Sequence, residues 1–274
     1  FSQLRAQNEN DPLPLNPKVT TGHLPNGITY YILPNKKPEK KVELRLILNS
    51  GSLSEEDDQQ GLAHMAEHMA FNGTTNFKKN DIVSFLQDIG VGFGSDLNAY
   101  TSFDRTVYIL PIPTDKPGNL EKGFQVLEDW AHNVTYLTAD IEGERAIILE
   151  ESRLGKGADD RMERKWLPVY LNGSRYASRL PIGKDEIIKT FNPDRIRDYY
   201  KTWYRPDLMA VAVTGDITSD EALALIKKHF ESILPVLGAP KLPAFDFPAY
   251  QKDVAAINTD KEGTGYNLDI NWSA

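Results

Sequence analysis

The chain alternates between two-residue and three-to-four-residue spacing of its apolar positions. In "VTTGHLPNGITYYILPN" (19–35) two β-prone runs flank Asn26-Gly27, a dipeptide that predicts a hairpin turn. In "KVELRLILNS" (41–50) Val42, Leu44, Leu46 and Leu48 alternate with polar or smaller residues, which predicts a half-buried strand. From 57 to 71 the period lengthens. Leu62, Met65, Ala66 and Met69 fall at helical spacing, and Asn72-Gly73-Thr74 stops the run. A second helix is expected over 79–89, on Ile82, Phe85, Leu86 and Ile89. The segment 90–113 reads as two strands joined near Ser102-Phe103-Asp104, with "SDLNAYTS" (95–102) as the first. Helices follow at 117–133, at 138–154 with Thr138 as N-cap, at 159–171 and at 193–203. A buried strand at 208–217 and a capped amphipathic helix at 219–234 complete the pattern. Trp130, Trp166 and Trp203 are expected in the core, and the isolated His23, His132 and His229 at the surface or in caps.

Strands and helices interleave, yet hairpins dominate the strand connections, so the expected class is α+β with a largely antiparallel sheet. Residues 1–17 are polar and proline-punctuated and read as a leader arm, ahead of a main domain over 18–235. Prolines at 235, 240, 243 and 248 mark 236–250 as a linker. The stretch 251–274 is strand-like and reads as the start of a following domain. A formal charge of −8 and a pI near 5.2 argue against nucleic acid or an anionic membrane as partner. With no cysteine, thiolate metal sites and cysteine nucleophiles are excluded. No apolar run is long enough to span a bilayer. The first residue is Phe1 rather than Met, which fits a trimmed chain or removal of a signal peptide; the second is the expectation here, with an extracytoplasmic location, periplasmic or secreted.

The candidate chemistry lies in "GLAHMAEHMAFNGT" (61–74). On a helix His64 and His68 stand one turn apart on one face, so their imidazoles can meet one small ion. Glu67 borders that face, within reach of a water on the ion. A catalytic zinc needs a third protein ligand and one open position. "DIEGERAIILEESR" (140–153) offers Glu142, Glu144, Glu150 and Glu151. Glu144 and Glu151, two turns apart, share a face with Ile141 and Ile148, where a carboxylate without a partner is costly. A metal would be one such partner; Arg145, Arg153 or Arg161 would be another.

H-x-x-E-H is the inverzincin pattern. With "LPNGITYYILPN", "LRLILNSGS", "NAYTSFDRTVY", "ERAIILEESR", "RLPIG" and "WYRPDLMAVAVTGDI", it gives residues 18–235 a resemblance to the pitrilysin/insulinase family of zinc metallopeptidases, which includes the mitochondrial processing peptidase. The resemblance implies one Zn²⁺ held by His64, His68 and Glu151, with Glu144 in the outer shell and Glu150 as the alternative if the register slips by one. It implies Glu67 as general base for a zinc-activated water, and an edge strand at Asn98, Ala99 and Tyr100 that grips a peptide or unfolded-protein substrate by backbone hydrogen bonds. It further implies a second homologous half, in a longer chain or as a partner subunit, so that this stretch alone would be a weak catalyst. The competing reading is a non-catalytic homologue acting as scaffold or substrate-gripping half. Such members normally lose the motif that this chain keeps.

Overall fold

The computed structural model describes residues 14–92 and 98–271. Most of the expected leader arm, and Ser95, Asp96 and Leu97 of the expected strand, lie outside these residues. Strands β1 (Thr20–His23) and β2 (Thr29–Pro34) form the expected hairpin, turning at Gly27 with φ of +101°. A β-carbon is strained in that left-handed region, which is why glycine follows asparagine there. The Asn26 side chain does more than turn the chain. Its amide donates to the carbonyls of Phe230 and Ile233, tying the hairpin to the distant end of a helix.

Strands β3 (Lys41–Leu48), β4 (Asn98–Thr101), β5 (Thr106–Pro113) and β6 (Met209–Gly215) complete a six-stranded sheet of order β1-β2-β6-β3-β5-β4. Its pairings are antiparallel except β2 with β6, which is parallel, so the largely antiparallel α+β reading holds for what is strictly a mixed sheet. β3 behaves as its alternation requires: Val42, Leu44, Leu46 and Leu48 are fully buried. Each such side chain contributes about 1.5–3 kcal/mol by leaving water. Helix α3 (Asn119–His132) lies across this face. It approaches so closely at Gly123 that a β-carbon there would sit 2.7 Å from Ile112. Its Trp130 stacks on Tyr108 at 5.1 Å.

The other α-helices among the described residues are α1 (Leu62–Met69), α2 (Asp81–Asp88), α4 (Thr138–Gly155), α5 (Ala158–Tyr170), α6 (Asp185–Thr190), α7 (Pro193–Trp203) and α8 (Ser219–Phe230). Several expectations need correction. Thr138 is the first residue of α4 rather than its cap, and its hydroxyl accepts from Arg197 at 2.8 Å. Trp130 and Trp203 are buried, but Trp166 is only half-buried, packed edge-on against Tyr170. His229 is neither isolated nor at the surface: it is 4% exposed and bonded to two glutamates. The strand-like 251–271 forms no strand; Arg161 of α5 instead pairs with Asp260 and Glu262. Alternation there, without a neighbouring edge to pair with, does not make a strand.

Candidate metal centre and active site

Helix α1 starts later than its periodicity suggests, because Gly61 adopts φ of +101° and the chain before it turns. The first N–H groups of a helix lack intrahelical acceptors. Here the Oε1 atom of Glu55 accepts from Gly61 N at 3.0 Å and Ala63 N at 2.8 Å. Burial pushes the Glu55 carboxyl well above the usual carboxylate range, against the pull of those two amides. Arg175 and Arg179 fasten the same turn by donating to the carbonyls of Leu53 and Glu55. The start of the helix is therefore held from two sides.

On α1 the imidazoles of His64 and His68 meet edge to face, with centroids 4.6 Å apart and their Nε2 atoms 3.2 Å apart. Helix α4 brings Glu151 across them. Its Oε1 is 3.7 Å from His64 Nε2, and its Oε2 is 3.6 Å from His68 Nε2. Zinc bonds of ~2.0–2.2 Å in a tetrahedron place neighbouring ligand atoms roughly 3.3–3.5 Å apart. The three donors are thus spaced as three corners of such a site. With its Nδ1–H on Glu144, neutral His68 turns a lone pair towards His64 Nε2; a proton on His64 Nε2 can bridge the two nitrogens, and a cation can take its place.

Glu144 lies on the buried side of α4. One oxygen bonds His68 Nδ1 at 2.9 Å, and the other accepts from Asn72 Nδ2 at 2.7 Å. This contact fixes the His68 ring with Nε2 turned to the other donors, the usual arrangement around a ligating histidine. Burial, and then the neighbouring His68, lowers the pKa of His64 to about 4, so that ring is neutral and free to ligate. Burial opposes charge on His68 as well, but the Glu144 bond and the charges of Glu67, Glu144 and Glu151 outweigh it and raise its pKa. The surroundings that favour an imidazolium favour a divalent cation equally. His64 Nδ1 is buried without a hydrogen-bond partner, so the polar contacts of that ring are made through Nε2.

The alternatives on α4 are engaged elsewhere. Glu150 pairs with Arg153 at 2.6 Å and Glu142 with Arg145 at 2.9 Å, while Arg161 of α5, a possible partner for these glutamates, is bound to Asp260. Among the described residues His64, His68 and Glu151 are the group of donors close enough to share an ion, all within 4.8 Å of one another. Contrary to the shared-face expectation, Glu151 is not inward like Glu144; its side chain is 49% exposed and reaches the site from the rim.

A cleft of about 720 Å³ opens over these donors, lined by His64, Glu67, His68, Glu151, Ala99 and Tyr100 among others. Glu67 is 7% exposed, and burial raises its pKa against a hydrogen bond from Thr101. That bond, Thr101 Oγ1 to Glu67 Oε2, is 2.6 Å long. β4 borders the cleft as the sheet's last strand, paired with β5 on one side, and Tyr100 is 44% exposed on it. Asn98 begins that strand. Sequence reasoning missed Thr101, Asn72 and Glu55. Asn72 was legible only as a helix stop, and the others had no motif to mark them.

Residues 30–163 match the family described as insulinase (peptidase family M16), and 190–273 match the M16 inactive domain. The chain belongs to the M16 family. The two matched stretches meet in one sheet, since β6 of the second lies between β2 and β3 of the first. A probable zinc protease PqqL of Haemophilus influenzae is 40% identical over 227 residues, 83% of this chain and 24% of that protein. A chloroplastic stromal processing peptidase of Oryza sativa is 34% identical over 231 residues, 82% of this chain and 18% of that protein. The solved first half of the periplasmic protease PqqL from Escherichia coli superposes with a TM-score of 0.82 at 37% identity, over 87% of this chain and 51% of that one. The chain spans about a quarter of the length of its zinc-protease relatives. Among the described residues no helix is long and apolar enough to cross a membrane.

Proposed function

We propose that the chain is the zinc-binding part of an endopeptidase or oligopeptidase that hydrolyses extended peptides. The observation that carries this reading is the convergence of His64, His68 and Glu151 beside a buried Glu67, at the foot of an edge strand. His64, His68 and Glu151 would hold one zinc, and Glu144 would keep His68 in its ligating orientation. Zinc bound there supplies the positive charge that acidifies water and polarises a carbonyl. Glu67 accepts the proton of the attacking water and returns it to the leaving amine; its raised pKa brings it nearer the value a base needs at neutral pH. The backbone of Asn98, Ala99 and Tyr100 adds the substrate as a further strand. A scaffold role, the competing reading, would not require a base beside three metal donors.

The domain reading of 18–235, a 236–250 linker and the start of a further domain from 251 belongs to the same proposal. So does a second homologous half, supported by the solved relative being described as a first half. The periplasmic relative also favours an extracytoplasmic location. The test is Glu67→Gln. Zinc content should equal that of the wild type while hydrolysis of an unstructured peptide falls about 10²–10⁴-fold, because the amide cannot accept a proton. Hydrolysis undiminished at matched zinc content would end the reading.

A further inference from the structure

Thr101 ends the edge strand β4 and sits opposite Thr106 of β5. Side chains alternate along a strand, so Thr101 shares a face with Ala99 while Tyr100 takes the other. Ala99 packs against the core, which turns the Thr101 hydroxyl towards α1 rather than outward with Tyr100. It meets Glu67 there at 2.6 Å, within the range of a charge-assisted O–H to carboxylate bond. Glu67 Oε1 makes no hydrogen bond among the described residues, so the carboxylate is pinned at one oxygen. A glutamate's terminal torsion is otherwise broad and two-fold. Without the pin, the free oxygen would sample directions away from the cleft.

We propose that Thr101 is a positioning residue. It fixes Glu67 Oε2, leaves Oε1 as the proton acceptor, and so makes the strand that receives the peptide also the strand that aims the base. This rests on the peptidase reading for its catalytic consequence, but the pinning of Glu67 stands without it. Small misplacements of a catalytic group cost up to about 100-fold in rate, whereas substrate pairing with the β4 backbone is untouched by the hydroxyl.

The test compares Thr101→Val, a β-branched residue of similar shape, with Thr101→Ser in the intact zinc-loaded protein. Thr101→Val should lower kcat roughly 10–100-fold, leave KM within about threefold and keep the zinc content. Thr101→Ser should recover most of the loss. Crystal structures of the zinc-loaded proteins give a readout free of activity: Glu67 bonded to residue 101 in the wild type and in Thr101→Ser, but rotated or in several conformers in Thr101→Val. Unchanged kcat, a loss confined to KM, a loss of zinc, or a Glu67 that keeps its orientation beside valine would each overturn the proposal. A wild type that binds zinc but cleaves no peptide would defeat the peptidase reading alone, and the crystal structures would still decide whether Thr101 holds Glu67.

Discussion

His68 and His229 are both held by glutamates, and they differ in what the second ring nitrogen meets. His68 uses Nδ1 on Glu144 and turns Nε2 towards His64 and Glu151, at the edge of a cleft. His229 has Nδ1 on Glu128 at 2.7 Å and Nε2 on Glu121 at 3.0 Å, with its ring stacked on Phe124. Both of its nitrogens face carboxylates, so it ties α8 to α3 and turns neither nitrogen towards further donors. A histidine–carboxylate contact alone therefore does not indicate a metal site. The informative feature is a free nitrogen facing further donors.

The largest expected effect separates these two clusters. His68→Ala should weaken zinc binding more than about 100-fold, beyond the usual loss from an outer-shell change, while His229→Ala should bind zinc as the wild type does. Elemental analysis of the purified variants reads both. Zinc loss from a folded His229→Ala protein would break the distinction. Within the site, Glu151→Gln should weaken binding strongly and Glu144→Gln by about 10–100-fold, the range for a residue that orients a ligand. Glu150→Gln should change nothing, since its carboxylate is committed to Arg153. Competition with a chelator of known affinity orders the three, and a Glu150 effect equal to that of Glu151 would reverse the assignment.

Stability should not follow the same order. His229→Ala takes one partner from Glu128, which is 19% exposed, and should cost about 1–3 kcal/mol. In metal-free protein His68→Ala takes a partner from Glu144, which is 6% exposed and keeps its Asn72 bond, so the cost should be of the same size. Urea unfolding of both variants with chelator present compares them; a metal-free His68→Ala as stable as the wild type beside a clearly weakened His229→Ala would contradict this.

The same comparison explains what could be read from the chain. His64, Glu67 and His68 lie within five positions of one helix, so helical geometry alone places them together. Glu144 and Glu151 are also local to one helix, but which of four glutamates faces α1 depends on how two helices cross. The alternation of 42–48 revealed a strand without revealing that β6 would lie beside it, parallel to β2. His229 was misjudged because its partners Glu121 and Glu128 are about a hundred residues away. Thr101 meets Glu67 across 34 residues and Asn72 meets Glu144 across 72. Such contacts follow from packing, and no local period encodes them.

The smallest effect is expected at a carboxylate outside the cleft. Asp185, in the first turn of α6, accepts from Ser152 at 2.8 Å and pairs with Lys156 at 2.6 Å, joining α6 to α4 on the helix that carries Glu144 and Glu151. The Lys156 bond, then the Ser152 bond, lowers its pKa below the ordinary 3.8. A carboxyl whose folded pKa is depressed contributes stability above its unfolded value, and loses that contribution as pH falls through the folded one. Asp185→Asn should therefore cost about 1 kcal/mol or less near pH 7, as expected for a solvent-screened pair. The deficit should shrink as pH drops below about 3.8, where the unfolded chain takes up the proton first, and close once the folded carboxyl is protonated too. Zinc content should not change, since Asp185 touches none of the donors. Urea midpoints of the two proteins at neutral and at acid pH decide it: a gap as wide in acid as at neutrality would mean that Asp185 acts by shape or packing, not by charge.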